Sequence, residues 1–185
     1  EEVCNELLKD IKREIDKSKV TVRVNRSTLN KIIKDGRLKN QFETSTSGGY
    51  FNPKTRAETE EIHRKSFSAD TYVTSTNAVT ESGELYNVDG NGNRVAAMIY
   101  GPRSVIVVAG INKIVKDVDE AVERVRRIAA PANSIRLNLS TSCTKTGYCV
   151  DCKTKDRICC TYTVFGQQRQ KDRIKVILVG ESLGY

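Results

Sequence analysis

The stretch that decides the fold is Ser75–Lys113, STNAVTESGELYNVDGNGNRVAAMIYGPRSVIVVAGINK. Its glycine-rich turns separate two apolar segments, and its polar residues fall where the predicted strands end. In an open α/β sheet, ligands bind outside the carboxyl ends of the strands. The stretch therefore predicts a ligand site at one edge of a sheet. The residues that we expect to form this site are Asn77, Thr80, Asp89, Gly90, Gly92, Asn93, Arg94, Asn112 and Lys113.

A glycine turn, Gly90–Asn93, lies directly before a predicted helix of residues 94–100, which Asn93 can cap. The start of a helix offers unpaired N–H groups and the positive end of the helix dipole, which favour a phosphate or a carboxylate. Arg94 can bind either anion through two hydrogen bonds, and Asp89 can accept one from a hydroxyl. Alone, the DGNGN string is a weak signal, because hairpin turns have the same composition. A second strand exit, which carries Lys113, supplies another cation and favours a binding site over a plain turn.

The charge balance is basic, with 31 Lys and Arg residues, 23 Asp and Glu residues and a formal net charge of +8. Such a balance suits an anionic partner. The basic residues are mixed with acidic ones, however, and no stretch interleaves aromatic and basic side chains as nucleic-acid platforms do. No apolar run approaches the roughly 20 residues that cross a bilayer. We therefore expect a cytoplasmic protein that binds neither nucleic acid nor membrane, and a homodimer is compatible with the sequence.

Predicted strands and helices alternate along most of the chain. The predicted strands are Val20–Val24, a short one around Gln41–Thr44, Thr71–Thr76, Glu84–Val88, Ser104–Ala109 and Arg173–Gly180. The predicted helices are Glu1–Lys17, one that begins after Ser27, one from Thr55 to about Ala69, residues 94–100, and one that begins at Asp117 and ends at Pro131. This alternation predicts an α/β fold with a mostly parallel central sheet flanked by helices.

Five of the six cysteines lie between Cys143 and Cys160. Cys143, Cys149, Cys152 and Cys159 follow the pattern C-x5-C-x2-C-x6-C, whose C-x2-C core is the usual chelating unit of thiolate metal sites. Four thiolates suit zinc or an iron–sulfur cluster. The alternatives are buried free thiols and redox pairs. The spacing favours a metal or a cluster, although it does not match a common zinc ribbon.

Several strings of the sequence point together to one family. They are TSTNAVTESGELYNVDGNGNRVAAMIYGP, VIVVAGINKIVKDVDEA, AAPANSIRLN, the cysteine segment KTGYCVDCK with the DRIC that follows it, and VILVGESLGY. As a set they resemble the LUD-domain family, the lactate-utilisation proteins. The resemblance is close from Asp70 to Tyr185 and looser before. After Val20–Val24 the family usually has a Gly-Gly-Ser turn, whereas this chain has Asn25, Arg26 and Ser27.

The resemblance implies one LUD-type α/β domain over residues 1–185. Its looser N-terminal part would be residues 1–69, its core residues 70–139 and 173–185, and its cysteine-rich insertion residues 140–172. The implied fold is like that of ribose-5-phosphate isomerases, glucosamine-phosphate deaminases and CoA transferases. In those relatives a glycine turn before a helix and a lysine after a strand hold the anionic substrate. The matching positions here are Gly90–Arg94 and Asn112–Lys113.

Three hypotheses for the function remain open. The first, which the family resemblance implies, is a lactate-utilisation protein that binds a small carboxylate or phosphate metabolite and supports oxidation of L-lactate to pyruvate with iron–sulfur redox partners. The second is a stand-alone isomerase or transferase that acts on a phosphosugar or a CoA ester, with Asp89 or Glu81 as the base. The third is a thiolate-based metal or redox sensor. Because His63 is the single histidine, no Ser–His or Cys–His pair can be argued, and whether the chain is an enzyme stays open.

Overall fold

The computed structural model describes residues 55–185, which belong to two compact units. The described part of the first unit is residues 55–74, 96–108 and 169–181, and the second unit is Ser75–Val95, Ala109–Gln168 and Ser182–Tyr185. The helices and strands predicted within residues 1–54 lie outside the described residues. The single-domain organisation of the chain stays a prediction.

Helices and strands alternate through much of residues 55–185. The strands are β1 Thr71–Thr74, β2 Ala78–Thr80, β3 Leu85–Asp89, β4 Ser104–Gly110, β5 Ile114–Val115, β6 Thr161–Phe165 and β7 Ile174–Val179. The α-helices are α1 Arg56–Ser66, α2 Asn93–Tyr100, α3 Val118–Arg124, α4 Ala130–Arg136 and α5 Ser142–Thr146, with a 3-10 turn at Ile111–Lys113 and a π-helical turn at Val125–Ala129. The predicted α/β class is confirmed. Within the described residues, every helix is too short or too polar to cross a membrane.

Helix α1 begins where the sequence predicts a helix. The hydroxyl of Thr55 accepts a hydrogen bond from the N–H of Glu58 at 3.2 Å, and the Glu58 carboxylate accepts one from the N–H of Thr55 at 2.9 Å. This reciprocal pair satisfies two of the N–H groups that a helix start leaves without a partner. The helix ends at Ser66, one turn before the predicted end near Ala69.

A three-stranded sheet in the order β1-β4-β7 lies mainly in the first unit. Strands β1 and β4 pair in parallel, with Thr71 opposite Ser104 and Thr74 opposite Val107. The unbroken apolar run of β4 is typical of a strand with neighbours on both sides and cover on both faces. The structure places β4 in the middle of the sheet, where Val105 and Val107 are fully buried.

A four-stranded sheet in the order β5-β2-β3-β6 lies in the second unit. Its pairing is mixed, because β2 runs parallel to β5 and antiparallel to β3, and β3 runs antiparallel to β6. The sequence predicts only β3 among these strands. Strands β2 and β5 have three and two residues, too few to show a periodicity, and β6 lies in the segment that we assigned to the cysteine-rich insertion. Part of that segment therefore belongs to this sheet.

Pro131 does not end the helix that begins after Asp117, contrary to the prediction. The chain stays helical from Val118 to Arg136, with the π-helical turn directly ahead of the proline. In a regular helix, proline lacks the N–H that would bond four residues back, and its ring clashes with that carbonyl. The π-helical turn, in which the N–H of Ala130 donates to the carbonyl of Val125, widens the helix at this point. The helix therefore accommodates the proline.

We expect Gly101→Ala to destabilise the first unit. A Cβ atom at Gly101 would lie 2.5 Å from the carbonyl oxygen and 2.8 Å from the Cα atom of Ala97, which belong to the backbone of α2 and cannot move aside alone. The expected loss is about 1–3 kcal/mol in the free energy of unfolding, measured by urea denaturation. Gly166→Ala is the control, because a Cβ atom there would meet nothing within 4 Å. Equal losses for the two variants would contradict this account.

Candidate functional site

Three cationic side chains lie close together in the second unit. Arg94 comes from the first turn of α2, Lys113 from the 3-10 turn after β4, and Arg124 from the end of α3. Burial, and then the positive charges of Arg124 and Arg94, lower the pKa of Lys113 to about 8. Loss of water and neighbouring like charges both disfavour a charged ammonium, so this shift reflects burial first and the nearby positive charges second. We call these three residues the cation cluster.

Ser75 accepts hydrogen bonds from a cationic residue after each of the two strand ends that the sequence predicts to form the site. The ammonium of Lys113 donates to the hydroxyl oxygen of Ser75 at 3.0 Å and to the carbonyl oxygen of Thr76 at 3.2 Å. The guanidinium of Arg94 donates to the carbonyl oxygen of Ser75 at 3.0 Å. Lys113 is only 6% exposed, so its charge is held away from bulk water. The structure thus brings Arg94 and Lys113 to one place.

Asparagine side chains hold Arg94 from the other side. Its guanidinium donates to Oδ1 of Asn87, to Oδ1 of Asn77 at 3.2 Å, and to the carbonyl oxygen of Val88 at 3.1 Å. The Nδ2 group of Asn87 is buried and has no hydrogen-bond partner among the described residues. A buried donor without an acceptor costs about 1–3 kcal/mol. A ligand oxygen beside Arg94 would remove that cost.

The carboxylate of Asp89 faces the start of α2. It accepts a hydrogen bond from the N–H of Val95 at 3.1 Å and lies 3.7 Å from Nε of Arg94. Asp89 therefore satisfies a free N–H group of the helix start, a role that the sequence analysis gave to Asn93.

Arg124 is only 7% exposed, and the sequence did not predict it as a site residue. Its guanidinium donates to the carbonyl oxygen of Asn112 at 2.9 Å and to that of Asn77 at 2.6 Å. One signal could have found it, because Arg124 lies three residues after Ala121 and directly before Val125, on the apolar stripe of the helix. A cation on a buried stripe needs hydrogen-bond acceptors or an anion. For Arg124 the acceptors are the two backbone carbonyl oxygens.

Two predicted site residues are engaged elsewhere. The hydroxyl of Thr80 donates to the carboxylate of Glu84 at 3.2 Å, in the turn between β2 and β3. The amide of Asn112 donates to the carbonyl of Gly184 and accepts from the N–H of Leu183, both at 3.0 Å. The structure therefore does not bring these two side chains into the cation cluster.

The glycine turn before α2 packs against the cysteine segment. Gly92 has a φ of +75°, a left-handed conformation that glycine adopts without strain. A Cβ atom at Gly90 would lie 3.4 Å from the carbonyl oxygen of Ile158, and the N–H of Cys160 donates to the carbonyl of Asp89 at 3.0 Å. The turn is thus fixed by the segment that carries the thiols.

Four of the cysteines line one cavity. It is lined by Cys143, Cys149, Cys152 and Cys159 together with Ser134, Thr141, Val150, Arg157 and Ile158. Among residues 55–185, no group of three or more His, Cys, Asp or Glu side chains is arranged to hold a metal ion. The four cysteines therefore share one cavity, and within residues 55–185 their present arrangement is not that of a metal site.

Comparison with known families identifies the family of this chain. The family model of the LUD domain matches residues 2–179. The chain belongs to the LUD-domain family. It is accordingly a lactate-utilisation-type protein. A crystal structure of a DUF162 family protein from Deinococcus radiodurans is 21% identical, covers 96% of this chain and 98% of its own, and has a TM-score of 0.47. A comparison with curated proteins finds no match.

The thiols of this LUD-domain protein differ in acidity. Burial raises the pKa of Cys159 to about 11, and the other thiols of the cavity act in the same direction. Burial also acts to raise the pKa of Cys152, but hydrogen bonds from Thr154 and from the backbone of Ser142 lower it overall. The free thiols therefore differ in their readiness to form the thiolate, which is the nucleophile and the metal ligand.

The second unit of the LUD-domain protein thus holds two groups with different chemistry. The cation cluster has three cationic side chains, and Asp89 is the one carboxylate among the described residues that pairs with it. Such an excess of positive charge suits a carboxylate or a phosphate. The cysteine cavity offers sulfur donors, which suit soft metal ions and iron–sulfur clusters.

Proposed function

We propose that this LUD-domain protein binds a small carboxylate at the cation cluster and supports the oxidation of L-lactate to pyruvate together with iron–sulfur partner proteins. The observation that carries the proposal is the buried ammonium of Lys113. Among the described residues it donates only to uncharged oxygens, those of Ser75 and Thr76. A buried cation of this kind is stabilised by an anion that reaches it.

The neighbouring groups support a carboxylate in particular. Arg94 and Arg124 add positive charge near Lys113, and both lower its pKa after the larger effect of burial. The unpartnered Nδ2 group of Asn87, beside Arg94, is a neutral donor that a second carboxylate oxygen could accept from. A site with cationic and neutral donors for two oxygens matches the planar fork of a carboxylate.

The redox part of the proposal rests on the family. Oxidation of L-lactate to pyruvate releases electrons, and their acceptor has to be a redox centre. The family resemblance implies iron–sulfur proteins as partners of lactate-utilisation proteins. We therefore propose that the cation cluster holds the carboxylate while the electrons pass to such a partner.

A thermal-shift screen tests carboxylate binding. A ligand that binds only the folded state adds about 2.7 kcal/mol to the free energy of unfolding at a concentration 100 times its Kd. We expect L-lactate or pyruvate to raise the Tm in a saturable way, compared with sodium chloride at the same ionic strength. A shift with phosphosugars or CoA esters, and none with small carboxylates, would contradict the proposal and favour an isomerase or a transferase.

A further inference from the structure

We propose that the cavity lined by Cys143, Cys149, Cys152 and Cys159 binds an iron–sulfur cluster within this chain. The site lies outside the cation cluster, and the proposal does not depend on carboxylate binding. It assigns the chain a cofactor of its own, separate from any cluster in a partner protein.

The number and kind of the donors around the cavity suit an iron–sulfur cluster. A structural zinc ion draws four donors to within about 2.3 Å of one point. Here four cysteines line the same cavity, which is the number of thiolates that an iron–sulfur cluster takes. In a cluster, different thiolates bind different iron atoms, so their sulfur atoms need only surround the cluster.

The spacing of the cysteines also resembles a cluster motif. Plant-type iron–sulfur proteins use the pattern C-x4-C-x2-C with a fourth cysteine further along. In this chain Cys143, Cys149 and Cys152 give C-x5-C-x2-C, and Cys159 follows after six residues. The first gap is longer by one residue, and the C-x2-C core is the same.

Hydrogen bonds to sulfur are already present in the cysteine segment. The N–H of Asp151 donates to the sulfur of Cys149 at 3.4 Å, and the hydroxyl of Thr154 donates to the sulfur of Cys152 at 3.7 Å. Asp151 has a φ of 53°, so the backbone turns sharply inside the C-x2-C core. Hydrogen bonds to the coordinating sulfur atoms stabilise the thiolates and tune the potential of a cluster.

Arg157 holds the segment around the cavity that it lines. Its guanidinium donates to the carbonyl oxygens of Cys152 and Cys159, the latter at 2.7 Å, and forms an ion pair with Asp151 at 2.8 Å. These hydrogen bonds fix the backbone of Cys152 and of Cys159 to the rigid, planar guanidinium of Arg157. Arg157 thus holds this segment in place even though the segment contains little regular structure.

A second cation, Arg126, stands beside the same segment. Its carbonyl accepts a hydrogen bond from the N–H of Cys149 at 3.0 Å, and its guanidinium lies over the ring of Tyr148, 5.6 Å from the centroid. The Nε group of Arg126 is buried and has no partner among the described residues. Four thiolates around iron carry negative charge, and Arg126 and Arg157 would offset it.

The test is iron and sulfide analysis of the full chain after anaerobic purification, followed by reconstitution with ferrous iron and sulfide. We expect more than one iron atom per chain with an equal amount of acid-labile sulfide, visible charge-transfer absorption, and an EPR signal in one oxidation state. Cys149→Ser and Cys152→Ser should each lose most of the iron. Cys160→Ser is the matched control, because Cys160 is exposed and does not line the cavity.

Three results would overturn the proposal. They are bound zinc with no iron, no iron even after reconstitution, and equal iron in Cys149→Ser and Cys160→Ser. If circular dichroism shows that the serine variants do not fold, thiol alkylation of the unmodified chain tests the site instead. The four cavity cysteines should resist alkylation when iron is bound and react after chelation, whereas Cys160 should react in both states. Labelling that does not depend on iron would refute the site, whatever the result of the carboxylate screen.

Discussion

Lys113→Met is expected to weaken the binding of L-lactate or pyruvate by about 10- to 100-fold, because a hydrogen bond to a charged group contributes about 1.5–3 kcal/mol. Methionine keeps much of the apolar stem and removes the ammonium. The measurement is isothermal titration calorimetry at pH 7. Lys116→Met is the control, because Lys116 is exposed three residues further along the chain. If both variants bind as tightly as the unmodified chain, Lys113 does not hold the carboxylate.

The same site should show a pH dependence. Because the pKa of Lys113 lies at about 8 in the folded protein, its ammonium is charged below that pH and binds an anion best there. Above pH 8 an anion must bring a proton with it, so the affinity should fall by up to about tenfold per pH unit. The slope should disappear in Lys113→Met. A flat profile from pH 6 to about 9.5 in the unmodified chain would contradict the assignment.

The contribution of Lys113 to the free energy of unfolding changes with pH in the opposite direction. Its pKa falls from an ordinary 10.5 to about 8 on folding, so between these values the unfolded chain holds more protons than the folded chain. The free energy of unfolding therefore gains from this group as the pH rises through that window. Binding and stability thus respond to pH with different signs, and the two measurements check the same pKa independently.

Arg94→Lys is expected to lower the free energy of unfolding by about 2–4 kcal/mol, measured by urea denaturation. The guanidinium of Arg94 donates to oxygens of Ser75, Asn77, Asn87 and Val88. A lysine ammonium is a compact group that cannot reach all of these acceptors together, so buried oxygens would lose their partners. Carboxylate binding should be lost as well, because in the proposed site Arg94 would bind the second oxygen of the ligand.

Arg127→Lys is the control for this substitution. Arg127 pairs with Glu123 one turn away on the helix surface, at 3.1 Å, and its side chain is 70% exposed. Exposed pairs of this kind contribute about 0.2–1 kcal/mol, and lysine can replace the arginine in them. We therefore expect a change below about 0.5 kcal/mol. Losses of similar size in the two variants would show that Arg94 has no special role in the second unit.

The sequence predicted the features whose cause is local. The reciprocal bonds of Thr55 and Glu58 depend on a spacing of three residues, and helix α1 begins there. The apolar run of β4 predicted a strand in the middle of a sheet, because such a strand is covered on both faces and needs no polar face toward water. The short strands β2 and β5 were missed, since their pairing partners and not their composition make them strands.

The candidate site was predicted only in part, for the same reason. Arg94 and Lys113 were found because both follow strand ends, which the sequence marks with glycine and polar residues. Arg124 and the buried Asn87 were missed, since one lies on a helix rich in charge and the other lies within a strand. Thr80 and Asn112 were included from their position, but their hydrogen bonds go to the hairpin turn and to the residues near Tyr185.

The sequence by itself determined the α/β class, the glycine turn before α2, the family and the grouping of the thiols. These depend on residues that are near one another along the chain, where spacing and conformational preference act directly. Only the tertiary structure decided that Ser75 links Lys113 to Arg94, that Arg124 completes the cation cluster, and that four thiols share a cavity. Burial and charge act between residues that are distant along the chain, so their effects exist only once the chain has folded.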